Sequence, residues 1–182
     1  MKTRNGKPGF TLIELLVVLA ILGILMAMMV PAAGLIMKRM AKARTQSDAN
    51  IVASVLLKYQ SEYNRWPPAY LPSGAGESNA EWVDIMAPKP EETKEIYKVN
   101  NPKRIGFFEP GGGALAASGD DVGAFVDAWG KPFSFRVDLE GTGEMANPNV
   151  DVGGTLRARS LAWSAGPDGD LETWEDNVAG WQ

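Results

Sequence analysis

The sequence predicts an α+β chain: a long N-terminal helix packed on a small antiparallel sheet head. Three observations carry this. From Phe10 to Val30 the chain is apolar except at Thr11, Glu14 and Gly23. After Pro31 a helical pattern resumes, and Ile51, Val52, Val55, Leu56, Tyr59 and Tyr63 recur at three-to-four-residue spacing. Strand-like alternation comes only late, in 132–138 and 156–163.

The first element is long enough to matter physically. At about 1.5 Å per residue, a helix over 10–30 spans roughly the 30 Å hydrocarbon core of a bilayer. A polar stretch with Lys2, Arg4 and Lys7 precedes it and ends in Pro8-Gly9. An ordinary secretory signal is disfavoured, because the apolar run is long for such a segment. No small-x-small cleavage site follows it, and helical pattern continues beyond Pro31. Glu14 is the costly residue here. A carboxylate in a membrane helix costs on the order of 3 kcal/mol at the bilayer centre, so it reaches the headgroups or it has a partner.

The second half of the helix is amphipathic. Lys42, Arg44, Gln46, Asp48, Asn50 and Lys58 lie opposite the apolar stripe as a solvated or subunit-facing surface. Pro67-Pro68 stops the helix near Trp66. A helix from Phe10 to about Arg65 runs on the order of 80 Å, more than a head of this size can cover, so its first half is expected to stand clear.

Prolines and glycines between Pro67 and Asp127, including Pro72-Ser73-Gly74-Ala75-Gly76 and Glu109-Pro110-Gly111-Gly112-Gly113, predict irregular structure. The glycine triplet lacks the Lys-Ser/Thr pair of a phosphate loop and reads as a turn. Asn101 to Glu109 reads as a segment that anchors itself in the core. The two late alternating stretches, Pro132–Asp138 and Leu156–Trp163, supply the sheet, whose apolar face needs the amphipathic half-helix to cover it.

Composition narrows the chemistry. The 182 residues are 45% hydrophobic and carry a net charge of −4, with no cysteine and no histidine. Disulfides, thiolate nucleophiles, imidazole catalysis and the usual zinc ligand sets are excluded. Nothing offers a general footprint for a nucleic-acid backbone. Carboxylates, hydroxyls and carbonyls remain, a donor set that suits hard cations such as calcium.

The string Gly9-Phe10-Thr11-Leu12-Ile13-Glu14-Leu15-Leu16-Val17-Val18-Leu19-Ala20-Ile21-Leu22-Gly23-Ile24-Leu25 resembles the type IV prepilin signature, and Pro31 falls where that family commonly has a helix-kinking proline. The resemblance implies cleavage after Gly9 by a membrane aspartyl prepilin peptidase and methylation of the new amino terminus on Phe10. It also implies that Glu14 pairs with the terminal ammonium of a neighbouring subunit. The expected organisation is a leader over 1–9, a transmembrane half-helix over 10–30, an amphipathic half-helix over 31–66, and a head over 67–182. Basic residues flank the apolar run on both sides and give no orientation. The family implies a single-pass protein of the bacterial inner membrane with its head in the periplasm, or a place in an extracellular pilus.

Two further elements point within that family. Asp127-Ala128-Trp129-Gly130-Lys131-Pro132-Phe133 resembles a turn of the major pseudopilin of type II secretion, although Ala128, Lys131 and Phe133 depart from its pattern. Its expected role is structural, with Trp129 packed inward and Gly130 permitting the bend. The stretch Ser164 to Asp176 gathers five carboxylates. On composition alone it is a solvated acidic turn, and its spacing is not that of an EF-hand. It resembles the calcium-binding C-terminal loop of pseudopilins. The resemblance implies side-chain ligands at Asp168, Glu175 and Asp176 and backbone carbonyls at Ala165 and Asp170, with Glu175 standing where the family usually has aspartate.

The function so implied is structural and not enzymatic: a subunit of a type II secretion pseudopilus that polymerises through its N-terminal helix to drive protein export. Its partners would be the prepilin peptidase, copies of itself and other pseudopilins, the inner-membrane secretion platform and the lipid bilayer. The alternative is a type IV pilin or minor pilin serving adhesion, motility or DNA uptake. Many pilins close their C-terminal region with a disulfide, which a cysteine-free chain cannot form. A membrane-tethered hydrolase with paired carboxylates is disfavoured, because acids on one flexible loop do not make two rigid groups flanking a substrate.

Overall fold

The computed structural model describes residues 9–89 and 94–181, with the side chains of 28–33 left out of that description. The chain divides into two units, Met1–Met40 and Ala41–Gln182. Helix α1 covers Leu12–Tyr63. It ends slightly before the expected Arg65, because Asn64 turns the backbone left-handed at φ 51° ahead of Pro67.

In the first unit, α1 shows apolar side chains on every side. Leu12, Leu16, Leu19 and Ile24 are exposed like their neighbours, so this segment has no amphipathic face to pack. The expected crossing over 10–30 is not found. Among the described residues, no helix is long and apolar enough to cross a membrane, and the side chains of 28–30, the end of that expected span, lie outside those described. The leader, apart from Gly9, also lies outside the described residues.

The second unit has the expected α+β architecture. Four strands form an antiparallel sheet in the order β1 (Ala75–Glu77), β2 (Ser134–Val137), β5 (Ser160–Ser164), β6 (Val178–Ala179). A separate two-stranded ladder joins β3 (Met145–Ala146) to β4 (Thr155–Leu156). The expected second strand over 156–163 is thus two pieces, with Leu156 in the small ladder and Ser160–Ser164 in the main sheet. Every residue of β5 is buried, because both faces are covered. Ala162 joins the main core with Val52, Val55, Leu56 and Tyr59 of α1, Phe133 just before β2, and Phe135 and Val137 within it. On the other face, Leu161 and Trp163 pack with Ala179, Met145, Leu156, Trp174 and Trp181. A strand sandwiched in this way reads as a near-continuous apolar run.

Of the predicted stripe, Val52, Val55, Leu56 and Tyr59 are buried, whereas Ile51 is 38% exposed and sits off it. The stretch between Pro67 and Asp127 is more regular than expected. It holds a 3-10 turn (Pro68–Tyr70), β1, and the short helices α2 (Ala80–Met86) and α3 (Glu95–Asn100). Asn79 caps α2 by accepting from Trp82 N–H at 2.9 Å, and this delivers Trp82, Ile85 and Met86 to the core.

Candidate functional site

Gly9 and Phe10 precede α1, and Phe10 is 81% exposed. Glu14 lies in the first helical turn. Its Oε2 accepts from Thr11 N–H at 2.8 Å and from the Thr11 hydroxyl at 2.7 Å, while Glu14 N–H donates to Thr11 Oγ1 at 3.3 Å. This reciprocal arrangement is a capping box, which satisfies helix N–H groups that have no intrahelical partner. The sequence signal, Thr-x-x-Glu ahead of an apolar run, was available and was missed beside the more conspicuous charge.

The second candidate is the acidic loop after β5. Its start is fixed by the turn at 127–131. The Asp127 side chain, almost fully buried, accepts from Trp129 N–H at 2.8 Å and Lys131 N–H at 2.9 Å, and its second oxygen accepts from the Ser164 hydroxyl. Ser164 Oγ in turn accepts from Gly166 N–H at 2.9 Å. Gly130 takes the left-handed φ of 85° that the bend needs. Trp129 is only half-buried and belongs to neither core cluster, so the expectation that it packs inward is corrected: the buried aspartate holds this turn. Gly166, at φ 70°, faces the end of the same loop so closely that a Cβ would lie 2.6 Å from Asp176 O.

Within the loop, Asp168 Oδ1 accepts from Asp170 N–H at 2.9 Å and Oδ2 from the Thr173 hydroxyl at 2.6 Å. The hydroxyl first, and then the backbone N–H, hold the exposed Asp168 carboxyl below its usual range. Asp170 Oδ1 accepts from Glu172 N–H at 2.9 Å, and Asn177 Nδ2 donates to Leu171 O at 3.2 Å. Asp168, Glu175 and Asp176 line one open groove of about 740 Å³, together with Glu172, Thr173, Trp174 and Asp151. Asp151 comes from the β3–β4 connection and was not singled out in the sequence. Ala165 is buried at the loop's entry and Asp170 is exposed. The donor chemistry suits a hard cation, but the side chains as they stand do not form a cage: among the described residues, no three acidic groups are placed to hold a metal ion.

Residues 4–30 fit the family model described as the prokaryotic N-terminal methylation motif. That segment covers the Gly9-Phe10 junction, the Thr11–Glu14 capping box and the apolar run. No curated protein and no solved structure matches the chain.

Proposed function

We propose that this chain is a prepilin-processed structural subunit of a type II secretion pseudopilus. The observation that carries the reading is the methylation motif at 4–30, with Gly9-Phe10 directly before a helix whose first turns expose apolar side chains on every side. Motifs of this kind imply processing by a prepilin peptidase and assembly with pilin-like subunits. Anchoring in the bacterial inner membrane with a periplasmic head, and contact with the secretion platform, follow from the same reading. The absence of cysteine favours the pseudopilus over those pili whose subunits need a C-terminal disulfide. The mature protein is expected to begin at Phe10 with a methylated amine. Intact mass and N-terminal peptide analysis of material from the native host check this, and a chain still starting at Met1 overturns it.

Calcium is the ion this reading assigns to the acidic loop, through Asp168, Glu175 and Asp176 and the carbonyls of Ala165 and Asp170. Binding would draw together acids that stand apart along the groove. An ion that binds only the folded unit stabilises it by about 2.7 kcal/mol at a hundredfold excess over Kd. For a unit the size of Ala41–Gln182, this raises the melting temperature by roughly 5–10 °C. Calcium should produce this rise against chelator, magnesium should reproduce it poorly, and Asp168→Ala should remove most of it. Identical melting in calcium, magnesium and chelator returns the loop to a solvated acidic turn.

A further inference from the structure

Beside the acidic groove, the β3–β4 connection presents Val150 and Val152 at 77% and 75% exposure, with Asp151 between them. This tip is held open by its own bonds. Asn149 Oδ1 accepts from Asp151 N–H at 3.0 Å and Val152 N–H at 3.3 Å, Gly153 N–H donates to Asn149 O at 2.9 Å, and Asn147 N–H donates to Gly154 O at 3.0 Å. Two valines fixed in water gain nothing for folding, whereas a preorganised apolar tip lowers the cost of binding. The groove next to it is lined by five carboxylates, and its lining contains no lysine or arginine.

The same chain carries the complement. Between Glu14 and Asp48 there is no acidic residue, and Lys38, Arg39, Lys42 and Arg44 stand in that interval. On α1, Leu35, Ile36, Met37 and Met40 are all more than half exposed around Lys38 and Arg39. We propose that the valine tip and acidic groove, through Val150, Asp151, Val152, Glu172 and Trp174, receive residues 35–40 of α1 from a second copy of this chain. The proposal rests on the assembling-subunit reading, but it uses residues that the calcium assignment leaves aside. Asp151 on the tip and Glu172 in the groove, neither of them a calcium ligand in that reading, offer negative charge to a helix segment bearing Lys38 and Arg39. Tip and helix are different surfaces, so the contact is heterologous: each copy can take one neighbour and be taken by another, which builds a ring or an open filament rather than an isologous pair.

The cysteine-free sequence makes the test clean, since any disulfide arises only from introduced thiols. Full-length chains carrying Val150→Cys and Met37→Cys, differently tagged, are co-expressed in the native host and mildly oxidised in the membrane. A mixed dimer is expected well above that given by Val122→Cys, another exposed valine, paired with Met37→Cys. Asp151→Lys with Glu172→Lys, added to the copy that carries Val150→Cys, should lower its yield roughly tenfold. Adding Lys38→Glu and Arg39→Glu to the copy that carries Met37→Cys should restore it. A mixed dimer no stronger than the Val122→Cys control overturns the contact. So does an unchanged cross-link when reversal at 38 and 39 lowers binding to vesicles containing phosphatidylglycerol, since those cations then serve a lipid surface. The N-terminus is read on the same material. Mature chain without the cross-link sinks the contact alone, unprocessed chain without it sinks both readings, and the cross-link in unprocessed chain sustains the contact while removing the prepilin assignment.

Discussion

Replacing Asn101 with leucine should lower the melting temperature of the unit Ala41–Gln182 by roughly 10 °C, the largest loss expected from any single polar side chain in it. Asn101 is fully buried. Its Nδ2 donates to Ile85 O at 2.7 Å and Ile105 O at 2.9 Å, and its Oδ1 accepts from the Tyr63 hydroxyl at 2.6 Å and Ile105 N–H at 3.0 Å. One amide therefore ties together the end of α1, the end of α2 and the chain after α3. Leucine has the same branched outline and number of side-chain heavy atoms, so no cavity opens; its bulkier methyls add some crowding, and the main cost is polar. Several buried groups lose their partner, each at about 1–3 kcal/mol, partly offset where backbone groups find one another or water. A net loss of about 3–4 kcal/mol corresponds to the stated shift at roughly 3 °C per kcal/mol for a unit of this size. Thermal denaturation followed by circular dichroism measures it, with Thr142→Ala in an exposed turn as a control expected to move by less than about 0.5 kcal/mol. A loss below about 1 kcal/mol for Asn101→Leu would mean that water replaces the amide and the segment is not an anchor.

The same residue shows what could and could not be read in the sequence. The segment 101–109 was legible as a core anchor from Ile105, Phe107 and Phe108, and Phe107 is indeed buried against Tyr59 and Tyr63. That an asparagine forms its centre was not legible, because two of its partners, Tyr63 and Ile85, lie in distant helices. The helical stripe was legible because Val52, Val55, Leu56 and Tyr59 obey a local period. Strand β1 was not: Ala75-Gly76-Glu77 has no strand character of its own. Gly76 is there because a Cβ would lie 2.7 Å from the rings of Tyr70 and Phe135, a tertiary demand with no local signature. In the acidic loop the composition was visible and the membership was not. Asp151 reaches the groove from a separate hairpin, and the turn at 127–131 is built on Asp127 rather than on the Trp129 that stands out in the sequence.

At the N-terminus, Glu14→Gln is expected to abolish or misregister fibres while leaving α1 intact, and this variant separates two roles that alanine would confuse. In the isolated chain, Glu14 closes a capping box with Thr11. A glutamine side-chain oxygen accepts the same two bonds, since Gln serves at this position of a capping box as Glu does. Only the charge is removed. If the carboxylate pairs in the assembled state with the ammonium on Phe10 of a neighbouring subunit, glutamine leaves that ammonium uncompensated in a low-dielectric setting, a loss of about 3–5 kcal/mol for a broken buried pair. At each subunit contact this exceeds roughly a hundredfold in association. Glu14→Ala loses both the cap and the charge, so the two variants should fail alike, whereas Thr11→Ala, which weakens only the cap, should assemble. Electron microscopy of sheared fibres reads assembly, and the melting temperature of the full chain in detergent reads the fold of the Ala41–Gln182 unit, which none of the three substitutions should move. Normal fibres from Glu14→Gln would assign the residue to helix capping and remove it from the assembly contact.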